Sequence, residues 1–439
     1  MTSKTLYVSL FLLMLLIPGI CRADADSIYK QNNRAVVVVI SIDGRGRPIG
    51  QGSGFIVRED GAVVTNYHVI NMAADVKIKL GMKVLDVEGV LHADPENDLA
   101  IVKMEGKDYP KVKIGDANKL QVGEKIYVIG SPQGLENTIS EGILSGIREV
   151  DRKHKILQMT APISPGSSGG PLFNSDGEVV GVATFLIAET QNLNFAMPIN
   201  LVLAGLAKKE LVSPQEACQV DYNETAACWY YQGLAFGTTG QFDRAAEAFK
   251  RSLAIDSKKT ETYINLGVSY ANMRRYKEAV EMLNEAVKIE PDHPDALNKL
   301  GTVYGQMGKY KESLSALKKS AGLKPENPEN YYGMAVTYGK MGDFSESIKA
   351  ANEAIKLNPK YAEAHGLLGF AYASTGKHKE AASAYKAAIR LEPDNPLPHF
   401  GLGKAYAAMN ERSSALEEYK ILKNLNPNLA DELFGLIYK

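Results

Sequence analysis

From residue 27 to about 198, short runs of β-branched and aliphatic residues alternate with glycine-rich turns: AVVVVISI, GSGFIV, GAVVTNYHVI, DVKIKL, EKIYVIG and GEVVGVATF. Apolar runs this short and this closely spaced predict an all-β sandwich or a pair of barrels. The last of them, in PLFNSDGEVVGV, reads as a β-hairpin around the Asp-Gly turn. Beyond residue 199 the period changes. INLVLAGLAKKE has the spacing of one amphipathic helix, and the stretch over 208–225, with Ser213-Pro214 and two cysteines, reads as a linker.

After the linker the pattern repeats. A small residue recurs every 34 positions at Gly233, Gly267, Gly301, Ala335, Gly369 and Gly403. An aromatic follows each by three residues: Phe236, Tyr270, Tyr304, Tyr338, Tyr372 and Tyr406. A second small residue follows by twelve, at Ala245, Ala279, Ser313, Ser347, Ala381 and Ala415, and prolines close units at 291, 325, 359, 393 and 427. Six units in phase resemble the tetratricopeptide repeat, an all-α solenoid of helix pairs, over 226–429: 226–259, 260–293, 294–327, 328–361, 362–395 and 396–429. DELFGLIYK, within 430–439, then reads as a capping helix.

A chain of 439 residues is too long for one ordinary core, which agrees with a modular reading. A formal net charge of -1 leaves no basic excess to attract nucleic acid or anionic lipid. The first 25 residues carry one lysine, an apolar run from Leu6 to Ile17, and Ala23-Asp24-Ala25 in the A-x-A cleavage pattern. That is the pattern of a cleaved signal peptide, which places the protein in a periplasm or another exported compartment. The competing readings are a retained anchor, for which the run is short, and lipoprotein processing at Cys21, where the bulky Ile20 is unfavourable. In an oxidising compartment Cys218 and Cys228 are expected to pair; two buried, reduced thiols are the alternative. Nothing in the chain calls for a metal or a cofactor.

Serine-based acyl transfer needs a base, an acid that orients the base, and N–H donors for the oxyanion. TNYHVI places His68 after a strand, NDLAIVK places Asp98 before one, and PGSSGG supplies the serine. Asp94 in ADPEND is a rival acid, but it precedes proline in turn-like sequence. The order His, Asp, Ser is that of the chymotrypsin type. GSGFIV, TNYHVI, NDLAIVK, GSPQGLENTISEGILSG and PGSSGGPLFNSDGEVVGV resemble successive blocks of the HtrA/Deg-type trypsin-like serine proteases, over roughly residues 30–207.

The resemblance implies a chymotrypsin-like fold of two six-stranded barrels over 27–207. It also implies His68, Asp98 and Ser168 as the triad, and an oxyanion hole at Gly166, Ser167 and Ser168. Ser167 stands where the family more often has asparagine. The family's oxyanion loop switches between forms, with 131–137 and 185–192 as the corresponding segments here, and trimers are common in it. Where the family usually continues into a PDZ domain, this chain continues into repeats. Trypsin holds basic side chains with an acid six residues before the nucleophile; that place is Pro162, followed by Ile163, and Phe185 and Phe195 supply the opposite wall. This predicts cleavage after aliphatic residues.

The inner faces of the first helices of the repeats are expected to line a concave groove, with Tyr230, Ile264, Asn298, Tyr332, Phe370 and Phe400 along it. Its apolar character fits unfolded or extended protein substrates or a protein partner; the alternative is that these side chains pack internally. Two functions remain in view: an exported serine endopeptidase with recruiting repeats, and a repeat-based scaffold with an inactive or conditionally active protease fold.

Overall fold

The computed structural model describes residues 24–130, 138–150, 155–164, 166–184 and 194–438. Residues 1–23, most of the expected signal peptide, lie outside them, as do both expected switching segments. The chain divides into two units, Met1–Ser257 and Lys258–Lys439.

The first unit opens with a helix, Ala25–Asn32, capped by Asp24, and continues into two barrels. In the first, β1 (Val36–Ile42), β2 (Pro48–Ile56), β3 (Ala62–Thr65), β4 (Asp75–Leu80), β5 (Lys83–Asp94) and β6 (Leu99–Met104) close in the order β1-β2-β3-β6-β5-β4. The valines of β1 and all of β3 are buried, as the unbroken apolar runs require.

The second barrel is built from β8 (Lys125–Gly130), β9 (Thr138–Glu149), β10 (Lys155–Met159), β11 (Pro171–Phe173), β12 (Glu178–Thr184) and β13 (Asn194–Pro198). Their order is β11-β8-β9-β10-β13-β12, and pairing of β11 with β12 closes the ring. A short β7 (Lys113–Ile114) adds in parallel to β12. The β11–β12 hairpin turns where the Asp-Gly signal predicts: Asn174 Oδ1 accepts from the Asp176 and Glu178 amides, and Gly177 takes φ +71°.

Two expectations after the barrels are corrected. INLVLAGLAKKE is not one helix but a 3-10 turn, Ile199–Val202, followed by a single helical turn, Leu203–Leu206. Residues 208–225 are not a free linker either. Val212 bridges Val90 of β5, Pro214–Ala217 form a short helix, and Tyr222–Glu224 form a 3-10 turn with Tyr222 buried. The first helical hairpin, Ala226–Thr238 with Phe242–Ile255, belongs to this unit. Inside it the Tyr230 hydroxyl donates to the Val150 carbonyl at 2.8 Å.

Cys218 and Cys228 are not bonded to each other; both are free and buried. Cys228 sits in the first turn of helix Ala226–Thr238, where its sulfur accepts from Gln232 Nε2 at 3.2 Å. Cys218 ends the short helix Pro214–Ala217, its carbonyl engaged by the Met72 amide. Burial pushes the Cys218 thiol up to about 12 and the Cys228 thiol to about 11, so both stay protonated and unreactive.

The second unit repeats the hairpin five times from Thr260 to Leu425 and ends in a helix, Pro427–Ile437. The periodic columns answer to close packing between helices. A Cβ on Gly267 or Gly301 would come within 2.7 Å of Leu283 or Leu317, sixteen residues on, and one on Gly369 within 2.8 Å of Tyr385. At Gly403 the corresponding space is filled by Leu433 of the terminal helix, which packs onto the last repeat. The second small column is fully enclosed: Ala279, Ser313, Ser347, Ala381 and Ala415 are each 0% exposed. Prolines follow the second helix of each pair by two residues, as at Ile289 and Pro291. Among the described residues no helix is long and apolar enough to cross a membrane.

Candidate active site

His68 lies on a short helix, Tyr67–Ile70, directly after β3, and Asp98 directly precedes β6, the strand paired with β3. Neighbouring strands thus bring base and acid together across 30 residues of sequence. His68 Nδ1 stands 2.8 Å from Asp98 Oδ2, and the His68 amide donates to Asp98 Oδ1 at 2.9 Å. Because a carboxylate only accepts, Nδ1 carries the proton and Nε2 is left as the free acceptor. Asp98 is 1% exposed, and Thr184 Oγ1 of β12 donates to its Oδ2 at 2.8 Å. Asn66 Nδ2 binds the Asp98 carbonyl at 2.8 Å. Asp98 has φ +52°, a left-handed conformation that aspartate tolerates better than most side chains. The rival Asp94 is committed elsewhere: its carboxylate caps the turn by accepting from the Asn97 amide and Nδ2.

Burial alone pulls the His68 imidazole toward its neutral form. The charge and hydrogen bond of Asp98 act in the opposite sense and prevail, so the His68 pKa is raised above the ordinary histidine value.

Ser168 is buried in a turn that two glycines make. Gly166 has φ +97° and Gly169 φ +86°, and a Cβ on Gly169 would stand 2.1 Å from the Ser53 carbonyl oxygen. The Ser53 amide donates to the Ser168 carbonyl at 2.7 Å, and Ser53 Oγ donates to the Gly166 carbonyl at 2.7 Å, pinning the turn to β2 of the first barrel. Among the described residues, the Gly166 and Ser168 amides donate to no backbone carbonyl. The Ser167 amide does: it is committed to the Ser164 carbonyl at 2.9 Å, which removes it from the expected oxyanion donors.

Of the expected pocket residues, Pro162 is exposed and its carbonyl accepts from Ser140 Oγ. Ile163 is half-buried against the second barrel's core, and Phe195 is buried within β13. Phe185 lies outside the described residues. Thr184 and Asn66 were not anticipated; both stand inside blocks singled out for other residues, and only the strand pairing reveals that they converge on Asp98. Among the described residues no group of three or more potential metal ligands occurs.

The expected groove row divides. Tyr230 is fully buried, spent on Val150 and stacked near Phe249. Ile264 is 8% exposed, and Asn298 is buried with its amide on Asn330 Oδ1 at 2.8 Å. These three pack internally and are corrected as groove residues. Tyr332, Phe370 and Phe400 do line an open cavity of about 690 Å³, together with Leu397, Lys404 and Asn395. The earlier repeats carry polar or large residues that close onto neighbouring helices, whereas Gly366, 34 residues after Tyr332, leaves open space in the cavity lining.

Residues 52–182 match the trypsin-like peptidase domain, and residues 226–259, 260–326, 332–396 and 372–436 match tetratricopeptide repeat families. A protein of Synechocystis sp. carrying the name serine protease HhoB is 44% identical over 160 residues, which are 35% of this chain and 38% of that protein. A protein of Pseudomonas putida named as a DegP-like periplasmic serine endoprotease is 39% identical over 158 residues, 35% of this chain and 33% of that one. The chain thus spans about a third of the length of these relatives. Among solved structures, a serine endoprotease from Yersinia pestis is 28% identical, with a TM-score of 0.38 over 42% of this chain and 65% of that one. The chain is thus similar to trypsin-like serine proteases of the HtrA/DegP type over its first part and to tetratricopeptide repeat families over its last.

Proposed function

We propose that the protein is an exported serine endopeptidase that cuts peptide bonds in unfolded or extended protein chains through Ser168, His68 and Asp98. The reading is carried by one observation: a buried Asp98 held by three donors, with His68 Nδ1 at 2.8 Å. An imidazole so fixed presents Nε2 to take the Ser168 proton as Oγ attacks the scissile carbonyl, then returns that proton to the leaving amine. Asp98 stabilises the imidazolium formed between the two steps. The Gly166 and Ser168 amides hold the oxyanion, each donor contributing about 3–4 kcal/mol to lowering the barrier. Pro162 at the pocket position supplies no charge for lysine or arginine, so cleavage follows Val, Ala, Ile or Thr. The apolar cavity around Tyr332, Phe370 and Phe400 holds extended segments of substrate.

Casein hydrolysis by the wild type, Ser168→Ala and Ser167→Ala, with products identified by mass spectrometry, tests this. The expected result is loss of several orders of magnitude for Ser168→Ala, a far smaller loss for Ser167→Ala, and cuts mainly after aliphatic residues. Casein hydrolysis undiminished in Ser168→Ala overturns the nucleophile assignment, and absence of hydrolysis by the wild type leaves a repeat-based scaffold.

A further inference from the structure

The His68 ring has a neighbour that the triad pattern does not supply. Tyr222, in the segment between barrels and repeats, sets its ring against the imidazole with centroids 5.9 Å apart and planes at 38°. Tyr222 is 4% exposed and packs with Tyr67, Cys228 and the half-buried Ala93. Among the described residues its hydroxyl has no hydrogen-bond partner. The phenol offers the site neither a charge nor a paired donor; what it brings is an apolar ring.

The backbone that carries this ring is tied down on both sides. Toward the barrel, three bonds come from the residues flanking His68. Tyr67 Oη donates to the Val220 carbonyl at 3.1 Å, Asn71 Nδ2 to Asp221 Oδ1 at 3.1 Å, and the Met72 amide to the Cys218 carbonyl at 2.8 Å. Toward the repeats, Thr225 caps the first repeat helix by accepting from the Cys228 amide at 3.1 Å. The same threonine donates its hydroxyl and its amide to the Tyr222 carbonyl, at 2.7 and 3.0 Å. The residue that caps the first repeat helix therefore also fixes the residue whose ring stands beside His68.

Taking His68 as the general base, as proposed above, we infer that Tyr222 is a positioning residue of the catalytic centre. Its ring, held by the start of the repeat domain, keeps the imidazole turned toward Asp98 and keeps water from their hydrogen bond.

The physical need is plain. The terminal torsion of histidine is broad, so one edge contact with Asp98 leaves the ring free to librate. A second, tilted ring beside the imidazole, with its centroid 5.9 Å away, restricts that freedom. Exclusion of water also strengthens the attraction between carboxylate and imidazolium, which weakens as the local dielectric rises. A base misplaced by a fraction of an ångström to an ångström loses rate while substrate binding, made elsewhere, persists.

The test uses the full chain and a short chromogenic peptide ending in valine, with kcat and KM measured for wild type, Tyr222→Phe, Tyr222→Leu and Tyr222→Ala, and Ser168→Ala as the blank. The far-downfield NMR signal of the His68 Nδ1 proton is read on the same unliganded proteins. Tyr222→Phe keeps the ring and is expected within about twofold of wild type, with the signal intact. Tyr222→Ala is expected to lose roughly 10- to 100-fold in kcat with KM within about twofold, and to lose the signal to solvent exchange. Tyr222→Leu, which preserves apolar volume without a flat ring, is expected to lose kcat in the same direction and serves if the alanine variant does not fold. Unchanged kcat and an unchanged proton signal in the leucine or alanine variant overturn the inference, as does a phenylalanine variant as slow as alanine. Ser168→Ala as active as wild type overturns the nucleophile assignment instead; the proton signal still decides the role of Tyr222, since it needs no turnover.

Discussion

The proposed catalytic centre and the repeats are built on opposite plans. Around Ser168 the decisive contacts join residues 30, 86 and 113 positions apart, each made once: His68 to Asp98, Thr184 to Asp98, and Ser53 to Gly166. In the second unit the same contact recurs, a small residue against a large one sixteen positions later, at Gly267 and Leu283, Gly301 and Leu317, Gly369 and Tyr385. A centre assembled from unique, long-range polar contacts has no spare copy of any part. A solenoid shares its stability among neighbours, so one altered contact shifts the sum by a fraction. Substitutions are accordingly expected to act as switches in the first region and as increments in the second.

The sharpest way to break this contrast is Asp98→Asn. With the carboxylate gone the imidazole loses both its tautomer and the support that raises its pKa, and kcat is expected to fall about 10⁴-fold with the fold retained. The pH profile adds a sign. His68 must be neutral to act as base, so activity falls as pH drops through its pKa. Since that pKa is raised, the wild-type acid limb lies above the ordinary histidine value of about 6.5, and in Asp98→Asn it moves to lower pH. A wild-type limb below about 6 would contradict the Asp98 coupling.

Smaller effects are expected in the groove. Phe370→Ala combined with Phe400→Ala removes two rings from the open cavity. Cleavage of unfolded casein should slow several-fold while a short peptide is cut at the wild-type rate; equal slowing on both substrates would mean that the cavity does not recruit substrate. The smallest effects separate two glycines of the same solenoid. Gly301→Ala drives a methyl to 2.7 Å from Leu317 and should cost about 1–2 kcal/mol in urea unfolding, overpacking outweighing helix propensity. Gly366→Ala meets nothing within 4 Å and should gain up to about 1 kcal/mol.

What could be read in advance follows the same division. The repeats announce themselves because each packing requirement is restated every 34 residues, so Gly301 and Ser313 are legible from their equivalents. The peptidase blocks are legible because GSSGG, with glycine at 166 and 169, answers a turn that only such residues permit. Asp98 could be preferred over Asp94 from its place before β6, but that Asp94 caps its own turn is visible only in three dimensions. The burial of Tyr222 has no such local signal. A segment with proline, serine and few periodic apolar residues looks like a linker, and nothing local tells that its aromatic is buried against a histidine 154 positions earlier. The row through Tyr230 and Asn298 carried the right period but no sign of which positions a neighbouring element would cover.

The central claim is that Ser168 is a nucleophile made reactive by His68. Labelling with a fluorophosphonate, followed by peptide mass spectrometry, measures this without assuming any substrate. The expected result is a single phosphonylated residue, Ser168, with labelling slowed by several orders of magnitude in His68→Ala. A label on Ser167, or labelling of Ser168 at an undiminished rate without His68, would contradict it.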